Sequence, residues 1–135
     1  MCWHLDHVKN RAVQGFNLLN CLYHVNGTSI TVAFELIKKP VQYCELETHK
    51  LKRVSLYTKN ELMRNMLLVC VQNKIRFRFV LFDTWFSSKE NMCYIKKDLA
   101  KDFICALKSN RLTAVSEEDY QANRFTPIEE LPWQE

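Results

Sequence analysis

A short apolar run that ends in an acid constrains the fold of this chain more than any other feature. Residues 75–79 alternate between apolar and basic side chains, and residues 79–82 are then continuously apolar up to Asp83. This pattern predicts a strand that enters a sheet from its surface and ends in its interior. Open α/β sheets bind ligands at the carboxyl ends of such strands. Asp83 is therefore the first candidate for a catalytic or metal-binding residue. The alternative is an acid that caps a helix or closes a turn.

The segments around this run predict a helix before it and a helix and a strand after it. Thr58 and Glu61 form the S/T-x-x-E pattern of a capping box, and apolar residues follow at helical spacing to about Gln72. A second capping signal lies at residues 87–90, and residues 102–107 are typical of another buried strand. The order strand, helix, strand predicts a parallel pair of strands joined by a right-handed crossover.

An antiparallel hairpin is predicted closer to the amino terminus. Residues 13–25 and 28–37 are rich in apolar and β-branched side chains, and Asn26-Gly27 separates them. Asn-Gly suits a two-residue hairpin turn because both positions tolerate a positive φ. Residues 38–56 contain a proline and many charges, which predicts a loop.

Composition and charge restrict the class of protein. The chain has 135 residues of which 47% are hydrophobic, so one domain with a modest core is expected. Six cysteines lack C-x-x-C spacing, and no signal peptide or membrane-spanning apolar stretch is evident, which favours a soluble intracellular protein without a membrane partner. His4, Asp6 and His7 do not have the spacing of a zinc motif, and no metal site is assigned to them.

The distribution of charge is more informative than its sum. The net charge of +4 permits a polyanionic partner without requiring one. The acidic residues are concentrated near the carboxyl terminus, so a nucleic-acid surface is expected in the first four-fifths of the chain. Lys108, Asn110 and Arg111 follow the second predicted parallel strand and are candidates for binding DNA phosphates. The alternative for these residues is a solvated basic loop.

Several segments resemble the central part of DDE-type transposases of bacterial insertion sequences. The string Val-Leu-Phe-Asp-Thr-Trp-Phe-Ser-Ser-Lys-Glu-Asn-Met at residues 80–92 carries the resemblance together with Ala-Leu-Lys-Ser-Asn-Arg at 106–111. Residues 3–7 leading to 15–19, and residues 57–63, resemble other segments of these enzymes in the same order.

The resemblance implies a ribonuclease-H-like sheet on which two Asp and one Glu hold two divalent metal ions, Mg²⁺ or Mn²⁺. The enzymes of this family use these ions to cut DNA and to join the cut ends to a target. Asp83 then corresponds to the second catalytic acid and is a metal ligand. The resemblance also implies DNA as the partner, self-association on paired DNA ends, and a place in the bacterial cytoplasm at the nucleoid.

The same resemblance implies that two of the family's three catalytic acids lie outside the segments that match. In the family the first catalytic Asp lies upstream of the segment that resembles residues 3–7, and the Glu lies on a helix downstream of residues 108–111. We therefore expect a partial ribonuclease-H-like α/β fold, with an antiparallel hairpin, a parallel strand-helix-strand unit and no central first strand. Residues 1–112 are expected to be a partial catalytic domain, and residues 113–135 an acidic peripheral tail.

On this interpretation the chain is a truncated transposase fragment that is inactive alone. Two alternatives remain open. One is a non-catalytic, basic DNA-binding remnant that interferes with an intact transposase, and the other is an unfolded product without function.

Overall fold

The computed structural model describes residues 2–6 and 8–131, so His7 and the predicted end of the tail at 132–135 lie outside the described residues. The chain separates into two compact units, Met1–Arg76 and Phe77–Glu135. In the described part the fold is mixed α/β, with three α-helices and small sheets of two strands each. No helix among the described residues is long and apolar enough to cross a membrane.

The first unit consists of three antiparallel hairpins and a helix. They are β1 (Cys2–Asp6) with β2 (Arg11–Gly15), β3 (Leu18–Val25) with β4 (Thr28–Leu36), β5 (Val41–Cys44) with β6 (Leu51–Val54), and helix α1 (Lys59–Gln72). The β3–β4 hairpin confirms the predicted turn, because Asn26 and Gly27 both have a positive φ, of 48° and 78°. The predicted strand 13–25 is instead two strands, which are interrupted at Phe16-Asn17.

The prediction of a loop over residues 38–56 was wrong, since this segment forms the β5–β6 hairpin. Glu45 organises its turn by accepting hydrogen bonds from the Thr48 hydroxyl and from the Lys52 ammonium group. All eight strand residues are exposed, so the hairpin lacks the buried face that a clear apolar alternation would indicate.

Helix α1 begins at the predicted capping box. The Thr58 hydroxyl accepts a hydrogen bond from the Glu61 amide, and the Glu61 carboxylate accepts one from the Thr58 amide at 2.7 Å. These two bonds satisfy amide groups that the first helical turn leaves without partners. The helix packs against β3 and β4, and its buried residues Met66, Leu67 and Cys70 form the core of this unit together with Ile37.

The second unit is built on a parallel pair of strands. Strand β7 (Phe79–Phe82) leads through helix α2 (Lys89–Cys93) and a π-helical turn (Tyr94–Asp98) to β8 (Asp102–Cys105). The strands are parallel, as predicted, and Phe82 lies opposite Cys105. The core of this unit includes Ile95 and Leu99. Strand β7 begins at Phe79, so the alternating segment 75–78 precedes the strand and does not form part of it.

The carboxyl-terminal segment is more structured than a tail. Strand β9 (Leu112–Thr113) pairs with β10 (Thr126–Pro127), helix α3 (Glu117–Gln121) lies between them, and a 3₁₀ turn (Ile128–Glu130) follows. The expected boundary between residues 112 and 113 falls inside β9, whereas the two compact units meet between Arg76 and Phe77.

Candidate functional site

The carboxyl ends of β7 and β8 lie at one edge of their sheet because the strands are parallel. Asp83 directly follows the last residue of β7, and Lys108 comes three residues after the end of β8. The predicted catalytic residue and the predicted DNA-binding segment therefore leave the sheet at the same edge. This edge of the β7–β8 sheet is the candidate functional site.

Asp83 is exposed and forms a turn with the residues that follow it. Its Oδ1 accepts a hydrogen bond from the Trp85 amide at 2.9 Å, and its carbonyl oxygen accepts one from the Phe86 amide at 3.2 Å. Asp83 therefore has the contacts of a turn acid, and these contacts are compatible with both roles that the sequence suggested. A carboxylate has two oxygens with several lone pairs, so the bond to Oδ1 leaves capacity for a ligand.

Two buried polar side chains fix the loop that carries Asp83. The Ser87 hydroxyl donates a hydrogen bond to the Thr84 carbonyl, and the Asn91 side-chain amide donates one to the Phe86 carbonyl, both at 2.9 Å. Ser87 and Asn91 are 1% and 0% exposed. Ser88 caps α2 by accepting a hydrogen bond from the Asn91 amide. Because buried polar groups are costly unless they are paired, these bonds hold the loop in one conformation.

Sequence analysis did not identify Ser87 and Asn91 as positioning residues. The capping pattern at residues 87–90 indicates a helix start nearby, but the structure places the N-cap at Ser88. A Ser-Ser pair followed by Asn at the third helical position is the signal in the sequence that reflects this arrangement.

Among the described residues, Asp83 is the carboxylate that follows directly on a strand at the candidate site. Asp102 lies at the opposite end of the β7–β8 pair, and its partners there are Lys96 and Arg78. The hydrogen bond from Lys96, with a smaller contribution from Arg78, lowers the pKa of Asp102 below its ordinary value. Within residues 2–6 and 8–131, no three His, Cys, Asp or Glu side chains come together to hold a metal ion. The described residues alone thus do not fit a two-metal centre, which needs several carboxylates.

The predicted DNA-binding residues lie together in one tight turn. The Arg111 amide donates a hydrogen bond to the Lys108 carbonyl at 3.0 Å, and Lys108, Asn110 and Arg111 are all exposed. The carboxyl-terminal segment holds this turn through two backbone hydrogen bonds. The Ile128 amide donates to the Arg111 carbonyl, and the Glu129 amide donates to the Ser109 carbonyl. The turn therefore presents its cations from an anchored backbone.

Comparison of the chain with protein-family models, with curated proteins and with solved structures gave no significant match.

Proposed function

We propose that the chain is a segment of the catalytic domain of a DDE-type insertion-sequence transposase. The domain would hydrolyse DNA phosphodiesters and transfer the cut ends to a target in the bacterial cytoplasm. Asp83 would be one of its metal-binding acids, with Mg²⁺ or Mn²⁺ as the metal and with DNA and a second enzyme copy as partners. Carboxylates outside these 135 residues would complete the set.

The position of Asp83 carries the proposal. The acid lies inside the segment with the strongest resemblance, immediately after β7 and beside a parallel strand. This is the position at which sheets of this kind present catalytic groups. The β3–β4 hairpin, α1, β7, α2 and β8 also follow one another in the order expected of a ribonuclease-H-like fold, with the β5–β6 hairpin as an additional element before α1. Both observations support a ribonuclease-H-like fold with Asp83 as a catalytic acid, an assignment that the resemblance suggested.

The first test is the DNA sequence on both sides of the reading frame. We expect it to encode a strand that ends in Asp upstream and a helix that carries Glu downstream, in the same frame or in another. Unrelated flanking sequence on both sides would contradict the proposal.

A substitution at Asp83 then separates the two roles of this side chain. Asp83→Asn keeps an oxygen that can accept the hydrogen bond from the Trp85 amide, but it removes the negative charge. In the chain extended by its flanking segments, this variant should keep its melting temperature and lose metal-dependent nicking of DNA. Full nicking by Asp83→Asn would show that the acid serves the turn alone.

The second candidate function is DNA binding without cleavage, and the exposed cations of the anchored turn favour it. Duplex binding by the 135-residue chain should weaken steeply with salt, and Lys108→Ala or Arg111→Ala should each reduce the slope by about 0.9 in a log–log plot. Lys97→Ala removes an exposed cation from the same unit and is the matched control. Binding that does not depend on salt would exclude this function.

A further inference from the structure

A basic cleft lies in the first unit, far in sequence from Asp83. Its volume is about 620 Å³, and residues of the β1–β2 and β5–β6 hairpins line it together with Lys39. The lining includes Trp3 and Tyr43 as aromatic residues, Gln14 and Gln42 as amides, and Lys39 and Arg53 as cations. Lys52 is a third cation, and none of the lining residues that the structure describes is acidic. The chemistry of the cleft is therefore aromatic, polar and positive.

The two aromatic residues expose a large part of their surface. Trp3 is 64% exposed and Tyr43 is 42% exposed. Rings at the surface of a cleft offer flat faces on which a planar group can stack. Nucleobases are such groups, and base–aromatic stacking contributes to sequence-tolerant binding of single strands together with a positively charged groove.

The cations differ in what holds them. The Lys39 ammonium donates a hydrogen bond to the Trp3 carbonyl at 2.9 Å, which ties the segment before β5 to strand β1. Lys52 forms an ion pair with Glu45, which compensates part of its charge. Arg53 pairs across the hairpin with Gln42, a neutral residue. Lys39 and Arg53 are therefore the principal sources of positive potential for an anionic ligand.

We propose that this cleft binds a single-stranded oligonucleotide. One or two bases stack on Trp3 and Tyr43, and the adjoining phosphates contact Arg53 and Lys39. The volume lies within the range of roughly 300–1,000 Å³ typical of small-ligand sites, which suits one or two nucleotides. Duplex DNA is a poorer ligand because its base faces are already stacked on each other. The cleft belongs to the unit Met1–Arg76, and the proposal does not depend on the role of Asp83.

The test is fluorescence anisotropy of fluorescein-labelled (dT)₁₂ with the full chain. Trp3→Ala should raise Kd by about 5-fold to 150-fold, the effect of losing one base stack. Trp3→Phe keeps an aromatic face and should retain most of the affinity. Tyr57→Ala is the matched control, since Tyr57 is an aromatic residue of the same unit that is 57% exposed and does not line the cleft.

The phosphate contacts are tested by salt dependence. Arg53→Ala should reduce the slope of log affinity against log salt by about 0.7, the value for one phosphate of a single strand. Lys59→Ala changes the net charge equally but removes an exposed cation outside the cleft, and it should leave the slope unchanged. The oligonucleotides (dT)₁₂ and (U)₁₂ share their phosphate chemistry and have similar bases. A comparison of their Kd values shows whether the cleft prefers DNA or RNA, and binding of either one supports the proposal.

Three results would overturn the proposal. The first is binding of (dT)₁₂ by Trp3→Ala within twofold of the parent chain. The second is duplex binding at least as tight as single-strand binding. The third is an equal loss of salt dependence in Arg53→Ala and Lys59→Ala. If circular dichroism shows that Trp3→Ala does not fold, Tyr43→Ala and Arg53→Ala decide the question, because both side chains are exposed and their loss removes a base stack and a phosphate contact.

Discussion

Ile95 should contribute more to stability than any exposed isoleucine of the second unit. It is 0% exposed in the π-helical turn, so Ile95→Val removes a methylene from a closed environment. Transfer of one methylene contributes about 0.8 kcal/mol, and the small cavity that remains increases the cost to about 1.5 kcal/mol. For a unit of this size, a loss of about 1 kcal/mol lowers the melting temperature by roughly 4–8 °C.

Ile104→Val is the matched control because it makes the same chemical change on β8 of the same unit. Ile104 is 58% exposed, so about two-fifths of the methylene contribution applies, or roughly 0.3 kcal/mol, and solvent fills the space. Guanidinium unfolding followed by circular dichroism should separate the two variants by about 1 kcal/mol. Equal costs, or a larger cost for Ile104→Val, would refute the assignment of Ile95 to the core.

The local contacts give three further predictions. Thr58→Ala should destabilise the chain by about 1 kcal/mol in urea unfolding, since it removes the side-chain cap of α1. Burial raises the pKa of the Cys21 thiol to about 11, so at pH 8 iodoacetamide should modify Cys21 roughly 100-fold more slowly than the exposed Cys44, as measured by peptide mass spectrometry. The hydrogen bond from Lys96 lowers the pKa of Asp102. The ionised carboxylate therefore stabilises the fold at pH values above the ordinary Asp pKa, and this stabilisation is lost as the pH falls through the lowered pKa. Lys96→Met should therefore flatten the acid side of a curve of melting temperature against pH.

Elements with a strong local signal could be predicted from the sequence. The capping box at Thr58 defines the start of α1 to the residue, and Asn26-Gly27 defines the β3–β4 turn. The parallel pair followed from the strand-helix-strand order around Asp83. In each case the signal lies in the residue types or in the order of segments along the chain, so a pattern could reveal it.

Elements that no side-chain pattern reports could not be predicted. The β5–β6 hairpin has no buried face, and its charged residues favoured a loop. Asn91 is buried although it is polar, and its hydrogen bond to the Phe86 carbonyl makes this burial tolerable. The carboxyl-terminal segment bonds to residues 109 and 111 through backbone amides, which no side-chain pattern reports. At the candidate site, the sequence therefore identified Asp83 but not the buried side chains of Ser87 and Asn91 that hold its loop.

The surroundings of the cations distinguish the two candidate nucleic-acid surfaces. Lys108 and Arg111 carry two positive charges, but the backbone bonds to residues 128 and 129 bring Glu129 and Glu130 next to their turn. Acids beside a phosphate-binding group weaken its attraction for DNA. In the basic cleft, Glu45 compensates Lys52, whereas Arg53 lies opposite a neutral glutamine. The fold thus places acidic residues beside the turn at residues 108–111, whereas Arg53 of the cleft lies opposite a neutral residue. Sensitivity of oligonucleotide binding to salt should therefore depend more on Arg53 than on Arg111.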